Sequence, residues 1–95
     1  MRLAVDGPVW FWKGPSPFHF VTVPDEESAL LAAASEHVTY GWGMIPVTAR
    51  IGSTTWTTSL FAKDGGYIVP IKAVVRRAEG IDEGDVVTVI LDVDV

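Results

Sequence analysis

Two short turns, Gly52-Ser53 and Asp64-Gly65, constrain the fold more than any other part of the chain. Each is a residue pair suited to the tip of a two-residue β-hairpin, where the backbone must reach positive φ. Folding about the first sets Arg50 opposite Thr55, Ala49 opposite Trp56, Thr48 opposite Thr57, Val47 opposite Thr58 and Ile45 opposite Leu60. Folding about the second sets Leu60 opposite Val69, Ser59 opposite Pro70, Thr58 opposite Ile71 and Thr57 opposite Lys72. Both turns place Ile45, Val47, Ala49, Trp56, Leu60, Val69 and Ile71 on one face. Side chains alternate along a strand, so a one-residue slip would send that whole set outward. The agreement between the turns specifies a three-stranded meander with one apolar face.

The rest of the chain extends this β pattern with two helices. Tyr67 to Leu91 reads as a strand, a short basic helix, a Gly84-Asp85 turn and a second strand. The helix takes Ala73 to Ala78 and ends at Glu79-Gly80; the strand from Val86 to Val93 puts Val87, Val89 and Leu91 on one face. Upstream, Val9-Trp10-Phe11-Trp12 is a strand apolar on both faces. Gly14-Pro15-Ser16-Pro17 breaks it, and Phe18 to Val23 returns as the partner strand of a wide hairpin. Pro24 and the acids Asp25, Glu26 and Glu27 suit the first turn of a helix, where its dipole favours negative charge. Leu30, Leu31 and Ala34 give that helix an apolar stripe, and it is expected to end near His37. Gly41-Trp42-Gly43 is a bend.

Ninety-five residues make a single domain over 1–95. A chain of this size buries only about 60–65% of its unfolded surface, so its 48% of hydrophobic residues are needed in one core. There is no cysteine, which excludes a disulfide framework, a thiol nucleophile and zinc–thiolate ligation. The N-terminus lacks an apolar leader, and no apolar run approaches the roughly 20 residues that span a bilayer. The expectation is a cytoplasmic protein with no membrane partner, either monomer or homodimer. A net charge of -5 argues against a nucleic-acid partner, because the overall field repels phosphate.

The order of Val69-Pro70-Ile71, the helix with Arg76, then Gly80-Ile81 and Gly84-Asp85-Val86 resembles the swapped-hairpin module of AbrB-type proteins. Gly43 to Ile51, Trp56 with Ser59-Leu60-Phe61, Gly66-Tyr67, Gly84-Asp85 and Phe20 to Pro24 resemble the small domain-of-unknown-function family numbered nineteen-oh-five. This resemblance runs over nearly the whole chain. It implies a mainly β protein with two short helices, a single-chain double-split β-barrel of six or seven strands. It brings a fold and no catalytic residue. In some relatives a second domain follows the barrel; here the sequence runs only to Val95, and the barrel alone is expected.

The register puts Thr48, Arg50, Thr55, Thr57, Ser59 and Lys72 on the outward face. Two cations among hydroxyls are the donors that a small phosphate or carboxylate needs. Arg50, Lys72, Thr48, Thr57 and Ser59 are therefore candidate ligand-binding residues, with Trp42 as a plug or lid at the barrel end. The same residue types also furnish an ordinary solvated sheet face. Trp10, Phe11, Trp12, Phe18 and Phe20 are expected to fill the barrel, the alternative being a binding patch. His19 and His37 titrate near neutral pH but lack metal-ligand spacing, and His19 is expected to face outward or line the barrel rim. Asp82, Glu83, Asp85, Asp92 and Asp94 read as a solvated acidic edge. The residues point to no cofactor, no metal and no catalytic set. The leading expectation is a binding module for a small anionic ligand or a protein partner. The alternatives are a small-molecule enzyme using His19 or Ser59 in a rim pocket, and an AbrB-like DNA-binding regulator, which the acidic charge disfavours.

Overall fold

The computed structural model describes residues 1–15, 18–38 (backbone only for 35–38) and 44–94. The elements run β1 (Arg2–Trp12), β2 (Phe18–Thr22), α1 (Asp25–Val38), β3 (Ile45–Ile51), β4 (Thr54–Lys63), β5 (Gly66–Pro70), α2 (Ala73–Glu79) and β6 (Val86–Val93). The strands close into a barrel in the order β1-β2-β5-β4-β3-β6, with every pairing antiparallel.

Closure depends on two long strands that each change partners. The first part of β1, Arg2 to Pro8, pairs with β6, and Val9 to Trp12 pair with β2. Likewise β4 pairs with β3 from Thr54 to Leu60 and with β5 from Phe61 to Lys63. The barrel is thus two half-sheets, β1-β6-β3-β4 and β1-β2-β5-β4, sharing β1 and β4. The strand expected from Val9 to Trp12 begins earlier, at Arg2, and includes Gly7 and Pro8. These two stand where β1 leaves β6, and a proline without an N–H is tolerated at the end of a ladder. The α2–β6 turn is stitched to this point: Val9 N–H donates to the Asp85 carbonyl at 2.9 Å, and Gly84 N–H donates to the Val9 carbonyl at 2.7 Å.

The register about both turns is the one the sequence specifies. Ile45 faces Leu60, Ala49 faces Trp56 and Thr48 faces Thr57; beyond the second turn, Phe61 faces Ile68 and Lys63 faces Gly66. Gly52 has φ 57°, and Asp64 and Gly65 have φ 51° and 81°, the positive values that two-residue hairpins demand. A Cβ on Gly52 would also stand 2.2 Å from Glu79 Oε1, because Glu79 reaches this turn to accept hydrogen bonds from Thr54 Oγ1 and Ser53 Oγ. The seven inward residues are all buried, and Val5, Val9, Val21, Val89, Leu91 and Val93 complete the barrel core with them.

The helices close over this core. Acids occupy the first turn of α1, as its dipole favours. Its packing seam runs through Ser28 and Leu31, which are buried, while Leu30 is 49% exposed. Consecutive helical residues point about 100° apart, so Leu31 at the centre of the seam carries Leu30 outward; the expected stripe included both. Ser28 Oγ donates to the Val23 carbonyl at 3.2 Å and accepts from Tyr67 N–H at 3.3 Å, fixing α1 to the β2 end and β5. α2 buries Val75 and ends at Gly80, whose left-handed φ of 65° lets its N–H return to the Arg76 carbonyl.

Candidate binding surfaces

On the half-sheet β1-β6-β3-β4 the outward residues form continuous rows. One row runs Arg2, Asp92, Thr48, Thr57, and the next Ala4, Ile90, Arg50, Thr55. Thr48, Thr57 and Arg50 are thus neighbours, as the sequence indicates, and Ser59 follows Thr57 along β4 on the same face. Lys72 is not in the row. The β4–β5 ladder stops at Phe61↔Ile68, while β5 pairs on its other edge with β2 through Ile68, Val69 and Pro70. Lys72 stands past the end of β5 as the N-cap residue of α2. The expected pairings of Leu60 with Val69, Ser59 with Pro70, Thr58 with Ile71 and Thr57 with Lys72 are therefore absent: β4 is paired with β3 up to Leu60 and with β5 only from Phe61. Trp42 lies outside the described residues.

The remaining cations of this face already have acceptors. Arg2 Nε and Nη2 donate to the two Asp92 carboxylate oxygens at 2.8 and 3.2 Å. That hydrogen bond first, then the nearby positive charges, hold the Asp92 carboxyl below its ordinary range. Arg50 Nη1 donates to the Gly52 carbonyl at 2.8 Å. An acid thus sits in the middle of the threonine row, and Arg50 is turned toward its own hairpin. Other acids are also engaged locally: the Asp85 carboxylate accepts from Asp82 N–H at 2.8 Å, closing the turn before β6. Among the described residues no three His, Cys, Asp or Glu side chains come together as a metal site.

The half-sheet β1-β2-β5-β4 carries a different surface. Its inner face gives Val9, Val21 and Val69 to the core. Its outer face carries Trp10 opposite Phe20, Trp12 opposite Phe18, and Phe20 opposite Pro70. Phe20 is buried, yet it belongs to this outer layer rather than to the barrel core. Its ring lies 5.3 Å from Trp10, 5.7 Å from Phe18, 6.2 Å from Phe61 and 6.4 Å from Trp12, in tilted contacts. Trp10 Nε1 donates to Thr22 Oγ1 at 2.9 Å, and the Trp12 indole rests against Gly14, where a Cβ would meet it at 2.6 Å. Trp12, Phe61 and Phe18 remain 46%, 39% and 37% exposed.

The aromatics were expected inside the barrel; most stand outside it. Alternation decides this, since Val9 points inward and so sends Trp10 and Trp12 out. The barrel interior is already filled by valine, leucine and isoleucine with Ala49 and Trp56. Two apolar clefts open on this layer. One, of about 270 Å³, is lined by Trp10, Trp12, Phe20, Phe61, Lys63 and Ile68. The other, of about 260 Å³, lies beside it between Trp12, Phe18, Phe61 and Pro70.

Phe11 shares the inward side with Val9 but sits near the end of the β1–β2 ladder, opposite His19, with the two rings 4.8 Å apart. His19 is half-buried, and its backbone carbonyl accepts from Ile71 N–H at 2.8 Å. With Ala73 and Arg76 of α2 and with Phe18, these residues enclose a recess of about 250 Å³. His19 thus lines the rim, as the sequence suggests. Arg76 reaches the recess because the chain brings α2 back beside the β1–β2 hairpin after β5, and nothing in its local sequence signals that. Burial, then the Arg76 charge, lower the His19 pKa, while Glu83 pulls in the opposite direction. The folded state therefore binds the His19 proton less readily than the unfolded chain does. This term destabilises the fold as pH falls below the ordinary histidine value of about 6.5 and is absent above it. An NMR titration is expected to place the His19 midpoint below that value; a midpoint above it would show an acidic partner that outweighs Arg76.

No helix among the described residues is long and apolar enough to cross a membrane. No curated protein matches the chain. A family described as "Domain of unknown function (DUF1905)" matches residues 6–91, nearly the whole of the barrel from the middle of β1 to the middle of β6, and the chain belongs to that family.

Proposed function

We propose that this barrel is a non-catalytic binding module that docks a protein partner on the outer aromatic layer of β1-β2-β5-β4. One observation carries the reading: Trp12, Phe18 and Phe61 stand substantially exposed around a buried Phe20, outside the core that folds the protein. Large aromatic side chains are enriched in the centres of protein interfaces and supply most of their hot spots. The two clefts, of about 270 and 260 Å³, fall below the 300–1,000 Å³ of pockets that enclose a drug-sized molecule. Each has room for one large side chain. The partner is thus a segment presenting two neighbouring large apolar side chains. The features of this face that recognise a partner are its rings, so docking proceeds through side chains.

The test is a peptide selection from a displayed random library against the intact protein. The expected peptides carry paired large apolar residues, and their affinity falls at least about tenfold on Trp12→Ala or Phe61→Ala. Peptides that bind the Trp12→Ala/Phe61→Ala double variant as well as the parent would remove the proposal. So would a dimer in light scattering that the same double variant dissociates, since the occupant would then be a second copy.

A further inference from the structure

We infer that the recess between the β1–β2 hairpin and α2 is a separate site for small carboxylates with an apolar body, held by the Arg76 guanidinium. The inference does not depend on the protein-docking reading; Phe18 lines both surfaces but the anchoring residues differ.

Three observations converge here. First, Arg76 lines a recess whose other walls are Phe11, Phe18, Ile71, Ala73 and the His19 ring. A guanidinium against such walls loses water without gaining a counterion, which costs free energy until an anion arrives. Second, Arg76 Nε is buried and meets no acceptor among the described residues. The ion pairs of the described residues are Arg2–Asp92 and Lys63–Asp64, so neither engages Arg76. Third, the two nearby charges that act on His19 are Arg76 from α2 and Glu83 from the α2–β6 turn, and the Arg76 effect is the larger. At His19 the cation thus outweighs the acid, although the chain as a whole carries -5.

The shape and lining of the recess select the ligand. Arginine presents a planar fork of donors that matches a carboxylate in two-point contact. The apolar walls favour a ring or short branched chain over a bare inorganic anion. A volume of about 250 Å³ limits that body to about one ring. The Phe11 and His19 rings, 4.8 Å apart and inclined by 50°, form one wall. A carboxylate bound beside His19 also favours its protonated form, so ligand and proton bind with mutual assistance.

The test is a titration of the intact protein with benzoate, benzyl alcohol and inorganic phosphate, followed by NMR at the amides of Phe11, His19 and Ala73 and at the His19 ring. Benzoate is expected to give saturable shifts at these positions and to raise the His19 titration midpoint. Benzyl alcohol, which lacks the charge, and phosphate, which lacks the ring, are each expected to bind at least about tenfold more weakly. Arg76→Gln is expected to abolish the preference for benzoate over benzyl alcohol, and Arg76→Lys to retain part of it. Equal binding of benzoate and benzyl alcohol, stronger binding of phosphate, or absent shifts would overturn the assignment. If Arg76→Gln disturbs the fold, the comparison of the three probes on the parent protein decides alone. Trp12→Ala is expected to leave benzoate binding intact, which separates failure of this site from failure of the docking surface.

Discussion

Phe20→Ala is expected to destabilise the protein by about 3 kcal/mol, a large effect for a residue outside the barrel. Phe20 is 2% exposed and sits under four rings at 5.3 to 6.4 Å. Removing it leaves a cavity beneath Trp10, Trp12, Phe18 and Phe61. The loss falls at the lower end of the usual range for phenylalanine, because rings at a surface settle more freely than side chains within a closed core. For a domain of this size the melting temperature would drop on the order of 15 °C. Trp12→Ala, with nearly half of the ring in water, is expected to cost about 1 kcal/mol or less. Thermal or denaturant unfolding of the two variants separates them. A Phe20→Ala loss below about 1 kcal/mol would mean that the outer layer does not pack as a unit.

Leu60→Ala is expected to cost more, about 4 kcal/mol. Leu60 is fully buried and faces Ile45 at the last pair β4 makes with β3, immediately before β4 passes to β5. Both half-sheets meet there, so neighbours tied into two ladders have little freedom to collapse into the space. Domains of this kind have only about 5–15 kcal/mol in total, which leaves the variant marginal near physiological temperature. Urea unfolding with an unchanged m-value and a much lower midpoint is the expected result. A loss below about 2 kcal/mol would show that the crossing of β4 is not part of the shared core.

The sequence makes the barrel's interior far more legible than its surfaces. Two turn dipeptides and an alternating pattern are local and period-bound, so they fix the Ile45–Leu60 register and all seven inward residues. The helix ends are also local, through Pro24 with its following acids and through Gly80. Partner switching is not local. That β4 pairs with β3 only up to Leu60 and with β5 only from Phe61 is set by how the barrel closes, and it leaves Lys72 out of the row expected beside Thr57. The first half of β1, Arg2 to Pro8, is likewise missed, because its pairing with β6 joins the two ends of the sequence. The aromatic layer shows the same limit. Density of rings suggests a core, but the inward direction of Val9 decides the matter, and only closure of the barrel reveals that its interior is full. The Arg76 recess is the least legible, since it brings Arg76 beside a hairpin distant in sequence.

These placements alter the chemistry open to the protein. The threonine and arginine face holds an acid at its centre and spends its arginine contacts internally. The apolar outer layer and the Arg76 recess both lie on the other side of the fold, around the β1–β2 hairpin. One presents large, exposed rings around Phe20; the other holds the Arg76 side chain in an apolar recess.

The most direct measurement is acrylamide quenching of a variant in which Trp10, Trp42 and Trp56 are replaced by phenylalanine, leaving Trp12 alone. With Trp12 on the outer layer at 46% exposure, its emission should be red-shifted and readily quenched in the free folded protein, and should become protected when a selected peptide binds. A blue-shifted, quencher-resistant Trp12 in the free protein would place the ring inside a core and contradict the surface on which the binding role rests.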